Sequence, residues 1–265
     1  MTLFNPLVVT GLYPGATAQA IAGITKGPDG NVWFPLVVGN GYAYLGSVTA
    51  TAVISNYPLS TTGYPTFGGI TAGPDGNLWL AQQAPAPEAS GNTIIVSTVG
   101  GTFTTYSLPN AAAQPFGIAA GPDGNIWVVE NGQNKIAKVT LTGTPTEFTI
   151  PTATSYPESI AAGADGNLWF TENGASKIGR ITPGGSFAEF PTTDRPVDIC
   201  RGPDGNVWFT EAVYQAPGNL GRITPAGEIT EYPLTSSPNG IATGPDSNIW
   251  FTEPTVGKIG QFVTP

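Results

Sequence analysis

Short apolar stretches alternate with polar turns along the whole chain, and one plan repeats from end to end. The fourth unit shows this plan most clearly, because its runs SIAAG, NLWFTE, KIGRITP and SFAEFP are rich in β-branched and aromatic residues. The turns GADG, NGAS and GG separate these runs. Alternation with a period of two between turn residues predicts four β-strands joined by hairpins.

The stretch GPDGNVWF at residues 27–34 returns five more times with small changes. The repeats centre on Trp33, Trp79, Trp127, Trp169, Trp208 and Trp250, which are 39 to 48 residues apart. This spacing, with four strands per unit, predicts an all-β fold: a six-bladed β-propeller that forms one domain over residues 1–265. The last unit ends after a third strand, and LFNPLVVT at residues 3–10 reads as an isolated strand. We therefore expect the N-terminal strand to complete the sixth blade and close the ring.

The P-D-G turn has a physical rationale. Proline presets the backbone for the first turn position, aspartate bonds the local backbone, and glycine accepts the left-handed conformation. In the last repeat Ser247 replaces this glycine. That turn should be strained by about 1 kcal/mol or adopt another geometry. The repeated tryptophan is predicted to fill the wedge between neighbouring sheets.

Composition excludes several functional classes. The net charge is −9 without a basic run, which argues against nucleic-acid binding. No apolar stretch reaches the roughly 18 residues of a membrane span. The chain has one cysteine and no histidine, so neither a Cys–His nor a Ser–His pair can form. We expect no organic cofactor. The sparse charge and Ser/Thr-rich strands indicate a secreted, periplasmic or cell-surface protein.

The units GIAAGPDGNIWVVENGQNKIAKVT, SIAAGADGNLWFTENGASKIGRITPGG and GIATGPDSNIWFTEPTVGKIGQFVTP resemble the virginiamycin B lyase family of streptogramin B-inactivating propellers. The resemblance implies that a cyclic depsipeptide is opened by elimination: a base removes the proton next to the ester carbonyl, and magnesium polarises that carbonyl. The family's catalytic histidine is matched by Asn239, whose amide cannot act as a base. Its catalytic WFTE carboxylate is matched by Glu253. The family enzyme also resembles a seven-bladed ring, whereas this chain has six units.

Carboxylates appear where the units differ. The third residue after the tryptophan is an acid in the last four units: Glu130, Glu172, Glu211 and Glu253. The links before the inner strands add Glu158 and Asp198. We expect these acids to share one face, where Glu158, Glu172 and Asp198 would ligate Mg²⁺ or Ca²⁺. Glu211, without a nearby lysine, is then a candidate catalytic base with a raised pKa.

A structural alternative exists for three of these acids. Lys135, Lys177 and Lys258 follow Glu130, Glu172 and Glu253 by five residues across a tight hairpin. Each pair would then be an ordinary cross-strand ion pair.

Aromatic residues are predicted on the same face, where they would contact a mostly neutral ligand. The candidates are Tyr42, Tyr44, Tyr214, Phe116 and Tyr156. The alternative is that several of these rings cap the core.

Three functions remain open from the sequence. The first is a lyase-like enzyme acting on a cyclic peptide or lactone with a divalent cation. The second is a non-catalytic propeller that binds a saccharide, peptide or other small molecule. The third is an extracellular structural subunit that self-assembles.

Overall fold

The computed structural model describes residues 18–21, 23–38, 41–59, 65–83, 91–214 and 216–264. Strands account for nearly all of the regular structure, and they form six antiparallel sheets arranged as the blades of a propeller. The predicted six-bladed propeller is therefore confirmed. The predicted closing strand at residues 3–10 lies outside the described residues. Among the described residues no helix is long and apolar enough to cross a membrane.

Each blade follows the same strand order from the propeller axis outward. The strands of the first two blades are β1 (Ala18–Ile21), β2 (Thr25–Lys26), β3 (Val32–Val38), β4 (Ala43–Val48) and β5 (Ile54–Leu59), then β6 (Thr66–Ala72), β7 (Leu78–Gln83), β8 (Thr93–Ser97) and β9 (Phe103–Ser107). In the first blade β1 and β2 both pair with β3.

The next three blades are regular and four-stranded. Their strands are β10 (Pro115–Ala120), β11 (Ile126–Glu130), β12 (Lys135–Val139) and β13 (Pro145–Thr149); β14 (Pro157–Ala162), β15 (Leu168–Glu172), β16 (Lys177–Ile181) and β17 (Phe187–Pro191); and β18 (Arg195–Arg201), β19 (Val207–Val213), β20 (Ala216–Ile223) and β21 (Ile229–Pro233). The described part of the sixth blade has three strands: β22 (Ile241–Thr243), β23 (Ile249–Glu253) and β24 (Lys258–Phe262). Short 3₁₀ turns cover Asn131–Gln133, Asn173–Ala175 and Pro254–Val256.

The repeated G-P-D-G-N-x-W stretch is a self-contained structural unit. In the third blade, the carboxylate of Asp123 accepts hydrogen bonds from the indole Nε1 of Trp127 at 3.0 Å and from both the backbone and side chain of Asn125. A Cβ on Gly121 would lie 2.3 Å from the Trp127 ring, so the first position must be glycine. Gly124 has a φ of +76°, in the left-handed region that glycine tolerates. The stretch therefore recurs because each tryptophan needs a small first residue, an aspartate that accepts its indole hydrogen bond and a turn with a left-handed residue.

The turn containing Ser247 keeps this geometry despite the substitution. Ser247 has a φ of +59°, so it occupies the left-handed conformation that glycine occupies in the other five turns. The expected strain at this position is therefore located in the backbone of Ser247.

The first five tryptophans are buried between blades as predicted, whereas Trp250 of the sixth blade is 36% exposed. Trp127 is buried with Ile160, Leu168 and Phe170 of the following blade. On its own blade it stacks on Phe148 of the fourth strand, with ring centroids 5.8 Å apart. Equivalent stacked pairs occur in the first five blades. The core is therefore a series of similar inter-blade layers around the axis.

Candidate functional site

The innermost strands of the blades surround a central pocket of about 920 Å³. It is lined mainly by residues 68–70, 116–118, 158–160, 197–199 and 239–242, which occupy equivalent positions in blades two to six. A cavity of this size accommodates a drug-sized molecule. We refer to it below as the central pocket.

Three layers of side chains follow one another along these inner strands. The first layer contains the residues that vary between blades: Gly68, Phe116, Glu158, Val197 and Asn239. The second layer is mostly glycine, with Ser159 and Asp198 as the exceptions. The third is isoleucine in every blade: Ile24, Ile70, Ile118, Ile160, Ile199 and Ile241. A variable polar layer therefore lies next to an invariant apolar one.

The glycine layer allows the inner strands to approach closely. A Cβ on Gly117 would lie 2.5 Å from the backbone oxygen of Glu158 on the next blade. In the neighbouring first layer, a Cβ on Gly68 would lie 2.4 Å from the backbone oxygen of Phe116. Both contacts are with backbone, which cannot move aside as a side chain can. The pocket is consequently narrow at this layer, and the backbone determines its width.

A β-bulge directs the polar side chains toward the pocket. The register of β14 against β15 shifts between Pro157 and Ile160, and that of β18 against β19 shifts between Pro196 and Ile199. The bulged segments contain Glu158 and Asp198. Bulges disrupt the ladder locally and re-aim side chains. Strict alternation of the sequence cannot reveal such a shift, so the pocket residues are not evident from the pattern alone.

The threonine of the W-F-T-E stretch stabilises the bulges of β14 and β18. The Thr171 hydroxyl accepts a hydrogen bond from the Ser159 backbone at 2.9 Å and donates one to the Val197 carbonyl of the next blade at 3.2 Å. Thr210 repeats this arrangement by accepting from the Asp198 backbone and donating to the Asn239 carbonyl. These threonines were missed in the sequence analysis. Their signal is their recurrence two residues after the tryptophan.

Asp198 holds three blades together. One carboxylate oxygen accepts hydrogen bonds from the Ser159 hydroxyl at 2.6 Å and from its neighbouring Ile199 backbone at 2.9 Å. The other oxygen accepts one from the Ile241 backbone at 2.9 Å. Burial raises the pKa of Asp198, against the effect of these hydrogen bonds. Its geometry is that of a structural carboxylate inside the pocket wall.

Glu158 is the carboxyl group in the pocket with freedom to meet a ligand. It is half-buried, and among the described residues no hydrogen bond to its side chain is found. Its pKa is raised by burial and then by the negative charge of Asp198. A carboxylate in this setting is a stronger base than one in water. Asn239 is exposed in the same layer and offers an amide as both donor and acceptor.

The other predicted acids lie outside the pocket lining. Glu172 at the end of β15 and Glu211 two residues before the end of β19 are fully buried. Burial raises the pKa of each to about 7. Glu211 accepts hydrogen bonds from the Asn219 amide at 2.9 Å and the Asp194 backbone at 3.2 Å. Glu253 accepts a hydrogen bond from the Ser236 hydroxyl. These acids contact the links between blades.

The predicted ion pairs with the following lysines are wrong for Glu130 and Glu172. Lys135 lies opposite Glu130 in the ladder, yet its ammonium group bonds to Glu147 on the next strand. Lys177 likewise bonds to Glu189, with 3.1 Å between Nζ and Oε2. The lysines turn toward the outer strand because the glutamates are buried beneath the links. Glu130 and Glu172 consequently have no ion-pair partner among the described residues.

Phe116 is the predicted aromatic residue that reaches the central pocket. Tyr156 is exposed on the link two residues before Glu158, with a φ of +46°. Tyr44 packs at the edge of the cluster of Phe34, Leu36 and Val38. Tyr42 and Tyr214 are exposed in hairpin connections, outside the pocket lining.

Two of the three predicted metal ligands face the pocket. Glu158 and Asp198 are in its lining, whereas Glu172 is not. Within the described ranges, no three acidic or thiol side chains lie close enough together to hold a metal ion. Asp198 also uses both carboxylate oxygens in hydrogen bonds to the protein. The side chains of the described residues do not form a preassembled cation site. Burial raises the pKa of the half-buried Cys200 thiol to about 12, which favours the protonated form at neutral pH.

The family model of the virginiamycin B lyase family matches residues 14–265 of this chain. This chain belongs to that family. The selenomethionine-substituted virginiamycin B lyase from Staphylococcus aureus is 33% identical, with a TM-score of 0.81 over 94% of this chain and 86% of that one. A separate sequence comparison with curated proteins found no match.

Two further structures of the lyase family bear on the pocket. A catalytically inactive histidine-to-alanine variant of the Staphylococcus aureus virginiamycin B lyase, in complex with quinupristin, is 31% identical with a TM-score of 0.79, over 93% of this chain and 87% of that one. A streptogramin B lyase is 30% identical with a TM-score of 0.75, over 93% and 94%. The present family member has no histidine with which to supply the group changed in that variant.

Proposed function

We propose that this protein binds a cyclic peptide or lactone-type small molecule in the central pocket. The observation that carries the proposal is the pocket itself, which places Glu158, Asn239 and Phe116 over a layer of isoleucines. Apolar walls with a few convergent polar groups are typical of small-molecule sites. The binding of quinupristin by a relative supports this ligand class.

Isothermal titration calorimetry with quinupristin tests the proposal. We expect saturable binding with one site per chain. Phe116→Ala should weaken binding about tenfold, because a partly exposed ring that packs on ligand contributes roughly 1 to 2 kcal/mol. Leu141→Ala is the matched control, since Leu141 is exposed to 36% and Phe116 to 37%, but Leu141 lies in an outer turn. No heat of binding, or equal losses in both variants, would reject the central pocket as the site.

A second candidate function is elimination at a carbon–oxygen bond, with Glu158 as the base. The raised pKa of Glu158 favours it. The carboxylate would take a proton from the carbon beside a carbonyl, a carbon–carbon double bond would form, and the ester oxygen would leave with the bonding electrons as a carboxylate. Asn239 would then donate a hydrogen bond to the carbonyl oxygen as its charge increases.

Mass spectrometry of incubated quinupristin distinguishes this chemistry from binding alone. Elimination opens the ring at unchanged mass, whereas hydrolysis adds one water. Glu158→Gln should abolish opening and preserve quinupristin binding, while the exposed Glu228→Gln should change neither. Intact quinupristin after incubation with the wild-type protein would leave binding as the function. Opening that persists in Glu158→Gln would exclude Glu158 as the base.

The predicted cation and the predicted location remain predictions. Calorimetric titration with Mg²⁺ or Ca²⁺, in the presence of quinupristin, tests whether a ligand completes a site on Glu158. Saccharide binding and self-assembly are tested by the same calorimetry and by sedimentation.

A further inference from the structure

A serine and an aspartate interrupt the glycine layer of the central pocket. Ser159 and Asp198 lie on the neighbouring inner strands β14 and β18, and both line the pocket. The Ser159 hydroxyl donates a hydrogen bond to Oδ1 of Asp198 at 2.6 Å. The second and third blades form the same bulged strand with glycine at this position, so the fold of a blade requires neither side chain. The glycines of this layer are Gly23, Gly69, Gly117 and Gly240.

The carboxylate of Asp198 is held in one orientation by two backbone amides. Its Oδ1 atom also accepts a hydrogen bond from the N–H of Ile199, and its Oδ2 atom accepts one from the N–H of Ile241, each at 2.9 Å. Of the three donors, the Ser159 hydroxyl is the one whose oxygen becomes a nucleophile when its proton is removed. A hydroxyl bonded to a base that other groups orient is the arrangement of an activated nucleophile.

The Ser159 hydroxyl lies where a ligand in the pocket can reach it. Ser159 is half-buried, and its neighbour on the third blade is Gly117, which has no side chain to cover it. A Cβ on Gly117 would lie 2.8 Å from the Cα of Ser159. The Ser159 N–H bonds to the Thr171 hydroxyl at 2.9 Å, which fixes the backbone that carries the serine. Asn239 in the adjoining layer offers an amide donor for a carbonyl oxygen.

We propose that Ser159 and Asp198 form a nucleophile–base pair that gives the central pocket an acyl-transfer activity towards esters and lactones. The Ser159 oxygen would bond to the carbonyl carbon while its proton moves to Asp198. The carbon–oxygen bond of the ester would then break, and the leaving oxygen would take that proton. Water would attack the acyl-serine and give a proton to Asp198, and the Ser159 oxygen would leave with this proton.

The net reaction is hydrolysis with one water consumed, which differs from the elimination considered for Glu158. The inference rests on the proposed use of the central pocket for a lactone-type ligand, and it adds a reaction at a second pair of residues in that pocket. A purely structural role for the pair, as a clasp between two blades, predicts no reactivity at Ser159.

Diisopropyl fluorophosphate tests the pair without any substrate, because it phosphorylates an activated serine and releases fluoride. Peptide mass spectrometry should locate the phosphoryl group on Ser159. Ser159→Gly should abolish this labelling and should fold, since glycine is the residue of this layer in four blades. Ser236→Ala is the matched control and should leave the labelling unchanged, because Ser236 also donates to a carboxylate, that of Glu253, but lies outside the pocket lining. An unlabelled Ser159 in the wild-type protein would refute the pair.

Hydrolysis of p-nitrophenyl acetate tests the role of Asp198 as the base. Asp198→Asn should lower kcat/KM roughly 100-fold, because an amide cannot accept the proton. Circular dichroism establishes that the variant is folded under the assay conditions. Ser159→Gly, which leaves Asp198 in place, should reduce hydrolysis to the rate without protein. Equal rates in the wild-type protein and Ser159→Gly would overturn the proposal even if Asp198→Asn does not fold.

Quinupristin separates this proposal from the proposed function. Labelling of Ser159 without quinupristin binding would confirm the nucleophile and reject the cyclic-peptide ligand. Quinupristin binding without labelling or ester hydrolysis would support the ligand class and refute the nucleophile. Quinupristin that gains one water with the wild-type protein, and stays intact with Ser159→Gly, would support both.

Discussion

Replacing Glu130 by glutamine should stabilise the protein above neutral pH. Glu130 is fully buried, and it has no ion-pair partner among the described residues. Burial, followed by the negative charge of Glu147, raises its pKa from 4.5 to about 7, although Lys135 acts in the opposite direction. In the unfolded chain the carboxyl ionises at its ordinary pKa, so ionisation favours the unfolded state.

The pH range over which Glu130 destabilises the protein follows from the direction of this pKa shift. Below pH 4.5 the carboxyl of Glu130 is neutral in both the folded and the unfolded protein, so its ionisation does not change the free energy of unfolding. Between pH 4.5 and about 7 it ionises only in the unfolded protein, so the loss of stability grows with pH. Above about pH 7 that loss is constant. A shift of this size corresponds to roughly 3 kcal/mol at pH 8. The glutamine amide does not titrate, so any constant cost of burying it cancels when two pH values are compared.

Urea unfolding followed by tryptophan fluorescence at pH 4.5 and pH 8 provides the assay. The free energy of unfolding of Glu130→Gln, relative to wild type, should rise by roughly 3 kcal/mol between the two pH values. Glu228→Gln removes an exposed carboxylate and should show a change near zero. A relative stability of Glu130→Gln that is the same at both pH values would refute the argument that Glu130 is held protonated by burial.

Three further outcomes follow from the turns and the pocket wall. Ser247→Gly should raise the free energy of unfolding by about 1 kcal/mol, because glycine adopts the left-handed conformation without strain; a destabilised variant in urea unfolding would contradict this. Asp123→Ala should cost roughly 2 to 3 kcal/mol because it leaves the buried Trp127 indole without its acceptor. Burial alone would raise the pKa of Asp123, but hydrogen bonds from Trp127 and Asn125 together lower it below its usual 3.8. The stabilisation by Asp123 should therefore be lost as the pH falls below 3.8. Identical acid unfolding of wild type and variant would contradict this. Asp198→Ala should cost roughly 2 to 4 kcal/mol by breaking hydrogen bonds that join three blades, and an unchanged melting temperature in calorimetry would show that Asp198 is not structural.

The sequence was sufficient to predict the blades because the determinants of a blade are local. The tryptophan, the aspartate that accepts its indole hydrogen bond and the left-handed glycine lie within seven residues of one another. Alternation then sets which residues face the neighbouring sheet. The strain at Ser247 was predictable for the same reason, since its cause is the conformation of a single residue.

The site was only partly predictable because its determinants are not local. Their positions before the inner strands predicted that Glu158, Asp198 and Asn239 share one face, and all three line the central pocket. The predicted ion pair between Glu130 and Lys135 was wrong because Lys135 lies on a strand with acids on both sides. It pairs with Glu147 of the outer strand instead of Glu130. The exposure of Trp250 depends on what covers the sixth blade, and the repeat itself predicts burial for every tryptophan.

Amide hydrogen exchange with and without quinupristin tests the central claim most directly, because it reports where a ligand binds on the folded protein. The account predicts slower exchange in residues 116–118, 158–160 and 197–199, the inner-strand segments that line the pocket, and unchanged exchange in the outer strands β13, β17 and β21. Protection confined to the outer strands or to the G-P-D-G turns, or no protection at saturating quinupristin, would contradict it.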